Sequence, residues 1–88
     1  MIKIERPAAE TIEKMGIKSW PVWEKAKSRF PWTYSEDEIC FIIKGRAELV
    51  LMDGKSVEFS QGDLVTFPAG LKCVWIIKED LQKHYFLP

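Results

Sequence analysis

The chain of 88 residues carries 13 basic and 13 acidic side chains, and 47% of its residues are hydrophobic. This length predicts a single domain over residues 1–88. The balanced charge argues against the basic surface of a nucleic-acid-binding protein, and no stretch reaches the ~20 apolar residues of a membrane span. The N-terminus lacks a signal-peptide pattern, so we expect a cytoplasmic protein that binds neither nucleic acid nor membrane.

The N-terminal third contains the only helical pattern in the chain. Residues 2–5 (IKIE) suit an edge strand. The segment PAAETIEKMG predicts a short helix, because Pro7 fits a first helical position and Gly16 fits the end. Residues 22–30 (VWEKAKSRF) then predict one charged strand, on a solvated face or at a sheet edge.

From residue 32 onward the pattern is β-like throughout. An apolar strand ends at Gly45, and RAELVLMDGKSVEF alternates apolar with polar residues around Asp53-Gly54, a pair typical of a two-residue type I′ hairpin turn. LVTFP, LKCVWIIK and QKHYF follow, the last two separated by Glu79-Asp80. About eight short strands joined by tight turns predict an all-β jelly-roll barrel with one short N-terminal helix.

Two blocks of the sequence resemble the cupin family. In GDLVTFPAGLKC, the spacing from Gly62 to Cys73 is similar to the second cupin signature, and Glu38, followed by six residues and then Gly45, is similar to the end of the first. More narrowly, the chain resembles the small single-domain, RmlC-like cupins grouped with the ureidoglycine aminohydrolase cupin domain. The resemblance implies a jelly-roll barrel. It also implies a homodimer, because small cupins commonly pair through edge strands.

The resemblance also implies positions for metal ligands, and only the glutamate keeps its residue type. The two histidine positions of the first signature fall on Trp32 and Tyr34, and the histidine of the second falls on Cys73. Glu38, Cys73 and Tyr34 are therefore the candidate ligands of a possible divalent metal. A catalytic zinc usually takes three protein ligands and a water, so this set is a poor one. In the alternative interpretation, Cys73 fills the core and Glu38 is bonded to Tyr34 or to backbone.

Strand alternation places Glu38 and Cys40 on one face and Cys73 and Trp75 on another. If the family arrangement holds, both faces line one cavity. The predicted pocket then has six residues: Trp32, Tyr34, Glu38, Cys40, Cys73 and Trp75. Glu38 is the candidate catalytic residue, as a general acid or base. A nucleophilic Cys73 would need a nearby positive charge, and none shares its predicted face. A Cys40–Cys73 disulfide stays open.

Three functions suit this pocket. The first is binding of a small-molecule ligand between aromatic walls, with Glu38 as the polar anchor. The second is an enzyme, metal-assisted or acid–base, acting on a small nitrogenous or sugar-like metabolite, as the resemblance to ureidoglycine aminohydrolases implies. The third is a scaffold that associates with itself or with another protein. His84, the single histidine, is expected opposite Lys83 and Tyr85 as an ordinary surface or satisfied side chain.

Overall fold

The computed structural model describes residues 1–88 as a rolled antiparallel sheet preceded by a short helix. In chain order the elements are β1 (Lys3–Glu5), α1 (Ala9–Met15), a 3-10 turn (Ile17–Ser19), β2 (Val22–Lys25), β3 (Ser28–Thr33), β4 (Glu38–Leu51), β5 (Ser56–Ser60), β6 (Leu64–Phe67) and β7 (Lys72–Phe86). The predicted all-β barrel with one N-terminal helix is thus confirmed. Neither helical segment has the length and apolar composition needed to cross a bilayer.

The two long strands β4 and β7 form the centre of the sheet and hold the other strands. They pair antiparallel, from Ile39 opposite Phe86 to Leu51 opposite Cys73. On their other edges, β4 pairs first with β6 and then with β5, while β7 pairs first with β3 and then with β2. Because each long strand changes partners along its length, the sheet curls around its own inner face and encloses the core.

The sequence predicts that strands end at Gly45 and at Glu79-Asp80. In the structure both places are bends inside the continuous strands β4 and β7. The register of β4 against β7 shifts between Ile42 and Ala47, as at a β-bulge. Gly45 has a φ of 92°, and a Cβ atom there would lie 2.9 Å from the carbonyl oxygen of Glu79. Glycine therefore lets the strands bend without ending. Seven strands result where eight short ones were predicted, even though the predicted strand 22–30 divides into β2 and β3.

The β4–β5 hairpin differs in turn type from the prediction. The Gly54 N–H donates to the Leu51 carbonyl at 3.0 Å, so the turn is centred on Met52 and Asp53. Only Gly54 has a positive φ, 87°, whereas a type I′ turn needs positive φ at both central residues. The Asp53 carboxylate instead accepts the Lys55 N–H at 2.9 Å and stabilises this wider turn.

Helix α1 ends where the sequence indicates. Gly16 adopts the left-handed conformation, and its N–H reaches the carbonyls of Glu13 and Ile12 at the end of the helix. The 3-10 turn that follows was not predicted. It buries Ile17 completely and contacts β7, so it attaches the N-terminal helical segment to the sheet.

The inner face of the barrel carries the hydrophobic core. Alternation along β4 buries Cys40 and Ile42 before the bulge, and Ala47 and Leu49 after it, each with 0% exposure. One basic side chain lies on the same interior face, because Lys83 is only 6% exposed. A buried lysine is rare unless it is paired, so its surroundings mark a candidate functional region.

Candidate functional site

A cavity of about 200 Å³ lies inside the barrel between β2, β3, β4 and β7. Six of its eight lining side chains are aromatic and two are charged: Trp23, Phe30, Trp32, Tyr34, Trp75 and Tyr85, with Glu38 and Lys83. An apolar protein cavity of about 150 Å³ can hold benzene. This cavity therefore has room for a small ring-shaped molecule.

Strand register explains why these residues converge. Trp23 of β2 lies opposite Lys83 of β7, and Phe30 of β3 lies opposite Trp75 of β7. Residues directly opposite each other in antiparallel strands project to the same face, so all four side chains point into the barrel. Trp32 follows Phe30 by two residues and shares its face.

The aromatic wall is held by stacking and by one hydrogen bond. The Phe30 and Trp75 rings are nearly parallel, 4° apart, with centroids separated by 6.1 Å. The Tyr34 ring stacks on Phe67 at 4.7 Å, and its hydroxyl oxygen accepts the indole N–H of Trp75 at 3.2 Å. Burial, and secondarily the charge of Glu38, raises the pKa of Tyr34 well above its usual range. The phenol is therefore protonated.

A buried ion pair completes the cavity. Lys83 Nζ lies 2.7 Å from Glu38 Oε2, and the two side chains are 7% and 13% exposed. The same Nζ lies 4.9 Å from the ring centroids of Trp23 and Trp75, within cation–π range of both. Taking two charges out of water costs several kcal/mol per ion, which the pairing offsets only when its geometry is good. Such a pair is weak evidence for stability and better evidence for a site.

Sequence analysis did not include Lys83 in the pocket. It placed Lys83 on the strand face opposite to that of His84. Because Glu79-Asp80 was interpreted as a turn, the alternation of faces was not continued from Trp75 to Lys83. Counting in twos from Trp75 through Ile77 reaches Lys83, and the structure places all three side chains among the buried residues. That parity was the signal available in the sequence.

Four of the six predicted pocket residues line the cavity, namely Trp32, Tyr34, Glu38 and Trp75, whereas Cys40 and Cys73 do not. The two thiols lie in the hydrophobic core, and both are free, so they form no disulfide. Burial raises the pKa of Cys40 to about 12 despite the opposing charge of Lys83. Cys73 Sγ donates to the Trp32 carbonyl at 3.6 Å, and burial raises its pKa as well. Neither thiol has the environment of a nucleophile.

The candidate metal ligands Glu38, Cys73 and Tyr34 do not fit a divalent ion. Nowhere in the chain do three His, Cys, Asp or Glu side chains form a group able to hold one. The Glu38 carboxylate already bonds the Lys83 ammonium at 2.7 Å. The pKa values of Tyr34 and Cys73 are raised, although a metal ligand must be deprotonated. The chemistry of these donors therefore does not match the metal site that the cupin resemblance implies.

His84 lies outside the cavity. Its Nδ1 is 2.9 Å from the carbonyl oxygen of Trp20, to which the ring donates a hydrogen bond. The ring thus has a backbone partner at the outer face of β7, and nothing about it indicates a ligand. This arrangement agrees with the expectation of a satisfied side chain.

Fold and cavity together define a small cupin-type β-barrel. The chain belongs to the EutQ-like cupin domain family, whose model matches residues 12–85. It is similar to a DUF861 family protein from Thermotoga maritima, whose crystal structure superimposes with a TM-score of 0.97 and 43% sequence identity over 100% of both chains.

The chain is also similar to proteins named EutQ. The acetate kinase EutQ of Clostridioides difficile (strain 630) is 32% identical over 62 residues, which are 70% of this chain and 39% of that protein. The structure of the Clostridium difficile EutQ protein matches with a TM-score of 0.67 and 30% identity, covering 73% of this chain and 50% of the other. This chain thus spans well under two thirds of the curated relative, whose name describes a longer protein.

Proposed function

We propose that this cupin domain binds a small molecule with a flat apolar body and uses Glu38 and Lys83 together as its polar anchor. One observation carries the proposal: an ion pair with a 2.7 Å contact lies on a cavity whose six other lining residues are aromatic. Ligand sites typically combine apolar walls with a few convergent polar groups. The sequence predicts Glu38 alone as the polar anchor, and the proposal adds Lys83 to it.

The walls favour a ring over a sugar. Six aromatic side chains line the cavity, and a planar ring gains stacked or edge-to-face contacts with them. A sugar-like molecule would bury several hydroxyl groups, and each needs a hydrogen-bond partner in a site with few of them. The volume of about 200 Å³ limits the ligand to a single small ring system with short substituents.

Trp32 is the candidate entrance residue. It is 50% exposed, and its ring meets that of Tyr34 edge-on at 79° with centroids 6.4 Å apart. Trp32, Tyr34 and Glu38 also line a second depression of about 120 Å³, which reaches Glu36 and Leu87 at the surface. Movement of the half-exposed indole would connect the cavity with this depression. Ligand entry past Trp32 is therefore part of the proposal.

Tryptophan fluorescence tests the binding proposal directly. Wild-type protein and Trp32→Ala are titrated with a panel of small flat ring metabolites and a panel of monosaccharides. We expect saturable quenching by at least one flat compound, no response to the monosaccharides, and at least about tenfold weaker binding in Trp32→Ala, since aromatic contacts dominate such sites. Trp20→Phe is the matched control, because Trp20 stacks on Phe86 outside the cavity. Flat titrations throughout would contradict the proposal.

An acid–base reaction is the second candidate, and the same ion pair favours it. Glu38 can accept a proton from a bound compound, and the Lys83 ammonium beside it can stabilise the anion that results. The narrower relationship to ureidoglycine aminohydrolases, with its metal-assisted chemistry, draws no support from the donors present. Proton NMR of each bound compound over time tests for turnover. Loss of turnover with retained binding in Glu38→Gln would support the reaction, and unchanged compounds would contradict it.

A further inference from the structure

Tyr34 lines the cavity and carries a buried hydroxyl whose hydrogen has no protein acceptor. Tyr34 is 3% exposed, and its oxygen is already used as the acceptor for the indole N–H of Trp75. The hydroxyl hydrogen itself takes part in no hydrogen bond with another side chain or with the backbone. Burial holds the phenol protonated by raising its pKa. The oxygen is satisfied by the indole N–H of Trp75, so what remains unused is the donor capacity of the hydroxyl.

Lys83 supplies a second donor to the same cavity. One of its N–H bonds goes to Glu38 Oε2, and the remaining side of the ammonium meets the faces of Trp23 and Trp75. An ammonium has three N–H donors, so part of its hydrogen-bonding capacity has only π faces as partners. Tyr34 and Lys83 therefore both line the cavity with donor capacity that no protein oxygen or nitrogen uses.

The charge of the site is balanced before any ligand enters. Glu38 and Lys83 neutralise each other at 2.7 Å, and the other six lining residues are aromatic side chains. An anionic ligand would meet the Glu38 carboxylate, and a cationic one would meet the Lys83 ammonium. Either would leave one net charge buried among aromatic rings, which is costly in a low-dielectric site.

We infer that the ligand of this cavity is a neutral ring compound with a hydrogen-bond acceptor, such as a carbonyl oxygen or a ring nitrogen, that is bound by the Tyr34 hydroxyl and the Lys83 ammonium. Glu38 completes the anchor by holding that ammonium in place. The inference rests on the proposed binding function and narrows it to one chemical class. Trp75 acts through Tyr34, because its indole N–H occupies the phenol oxygen and leaves the hydroxyl hydrogen for the ligand.

Four probes of nearly equal size and shape separate charge from hydrogen bonding. Acetophenone is neutral with an acceptor, isopropylbenzene is neutral without one, benzoate is an anion and benzamidinium is a cation. Dissociation constants at neutral pH are measured by tryptophan fluorescence and by NMR. We expect acetophenone to bind about tenfold more tightly than isopropylbenzene, as one buried hydrogen bond allows. Benzoate and benzamidinium are expected to bind more weakly than acetophenone.

The variant Tyr34→Phe identifies the donor. Its expected effect is to remove most of the preference for acetophenone over isopropylbenzene, because only the Lys83 ammonium remains as a donor, while the isopropylbenzene affinity itself is unchanged. That unchanged affinity also reports an intact cavity. If Tyr34→Phe does not fold, the comparison of the four probes on wild-type protein still tests whether the site prefers a neutral ligand with a hydrogen-bond acceptor. Equal binding of acetophenone and isopropylbenzene, or tighter binding of either ion, would overturn the inference while leaving the binding function standing. Failure of all four probes to bind would count against the binding function itself.

Discussion

The ammonium of Lys83 touches the carboxylate of Glu38 at 2.7 Å, although 45 positions of the sequence separate the two residues, which lie on β7 and β4. The pair is 7% and 13% exposed, so water screens it little. Each charge is therefore tolerated in the interior only because the other is present. This dependence makes the pair measurable in stability experiments that need no ligand.

Removing one member of the pair is expected to destabilise the fold more than removing both. Glu38→Gln leaves the Lys83 ammonium buried without a carboxylate and is expected to lower the free energy of unfolding by about 3 kcal/mol. Lys83→Met leaves the opposite charge and is expected to cost about as much, while the double variant recovers most of the loss. Urea unfolding of the four proteins gives the coupling energy. If the losses of unfolding free energy in the two single variants simply add up in the double variant, the strong pairing is contradicted.

Much of the fold was predictable because its signals are local. Alternation of apolar and polar residues in β4 identifies the buried face, and Cys40, Ile42 and Leu49 are indeed fully buried. The glycines at bends mark places where the backbone needs a positive φ, as Gly45 and Gly54 show. What these signals do not give is whether a glycine ends a strand or bends it. That depends on the partner strand, which is distant in sequence.

The site was less predictable for the same reason. Trp32, Tyr34 and Glu38 could be selected because sequence spacing relates them to a known family, and Trp75 because strand alternation places it on the same face as Cys73. Lys83 could not be selected in that way, since a charged residue is assigned to the surface unless a partner is known. Lys83 is buried because its strand, β7, pairs with both β2 and β4, which are distant in sequence. Glu38, the first residue of β4, supplies the partner charge.

The bend at Gly45 gives a second prediction about the fold. Gly45→Ala would place a methyl group 2.9 Å from the Glu79 carbonyl oxygen and closer still to that of Asp80, at a φ of 92°. We expect a loss of about 3 kcal/mol in the free energy of unfolding, from combined backbone strain and steric conflict. Gly54→Ala is the matched control, with a φ of 87° and no atom within 4 Å of the added carbon. Equal losses in thermal or urea unfolding would show that the contact with β7 is unimportant.

The buried thiol of Cys40 predicts an alkaline loss of stability. Burial raises its pKa from 9.0 to about 12, so between these values the unfolded chain releases a proton that the folded protein keeps. The free energy of unfolding therefore falls as pH rises above about 9, by about 1.4 kcal/mol per pH unit for this group. Tyr34 and Cys73 shift in the same direction and add to the slope.

Unfolding by urea from pH 8 to 10.5 in the presence of a reducing agent measures this slope. Cys40→Ala is expected to be less stable at pH 8, because it leaves a small cavity, but to lose stability more slowly as the pH rises. Parallel curves for wild type and Cys40→Ala would contradict the assignment of the slope to this thiol. The slope of stability against pH in Tyr34→Phe should differ from that of wild type only at the alkaline end, since the ordinary pKa of the phenol is 10.0.

The donors of the cavity predict that purified protein holds no stoichiometric divalent metal. The Lys83 ammonium occupies the Glu38 carboxylate at 2.7 Å, and burial raises the pKa values of the other two candidate ligands, Tyr34 and Cys73, of which Cys73 does not line the cavity. Elemental analysis of protein purified without a histidine tag, before and after incubation with zinc, manganese or nickel, provides the measurement. One metal per chain, lost in both Glu38→Gln and Cys73→Ser, would instead support the ligand set that the cupin resemblance implies.

The proposed homodimer gives the last prediction. Val22, Phe86 and Leu87 are 50%, 43% and 45% exposed, and Trp20 stacks on Phe86 at 5.3 Å. This group, the C-terminal apolar patch, lies beside β2, which pairs with β7 alone and so has a free edge. Exposed apolar groups at a strand edge are typical of subunit contacts. We expect light scattering after size-exclusion chromatography to give twice the chain mass of 10.2 kDa.

Phe86→Lys is expected to give the monomer mass, because a charge placed in an apolar interface has no partner there. The control is Met52→Lys, since Met52 is 80% exposed in the β4–β5 turn and far along the chain from the patch. Its expected mass is that of wild type. A monomeric wild type would contradict the homodimer, and a Phe86→Lys protein that remains dimeric would place the interface away from the patch. Urea unfolding distinguishes this change from loss of the fold, because a folded monomer still unfolds cooperatively, whereas the emission of Trp20, which stacks on Phe86, changes in either case.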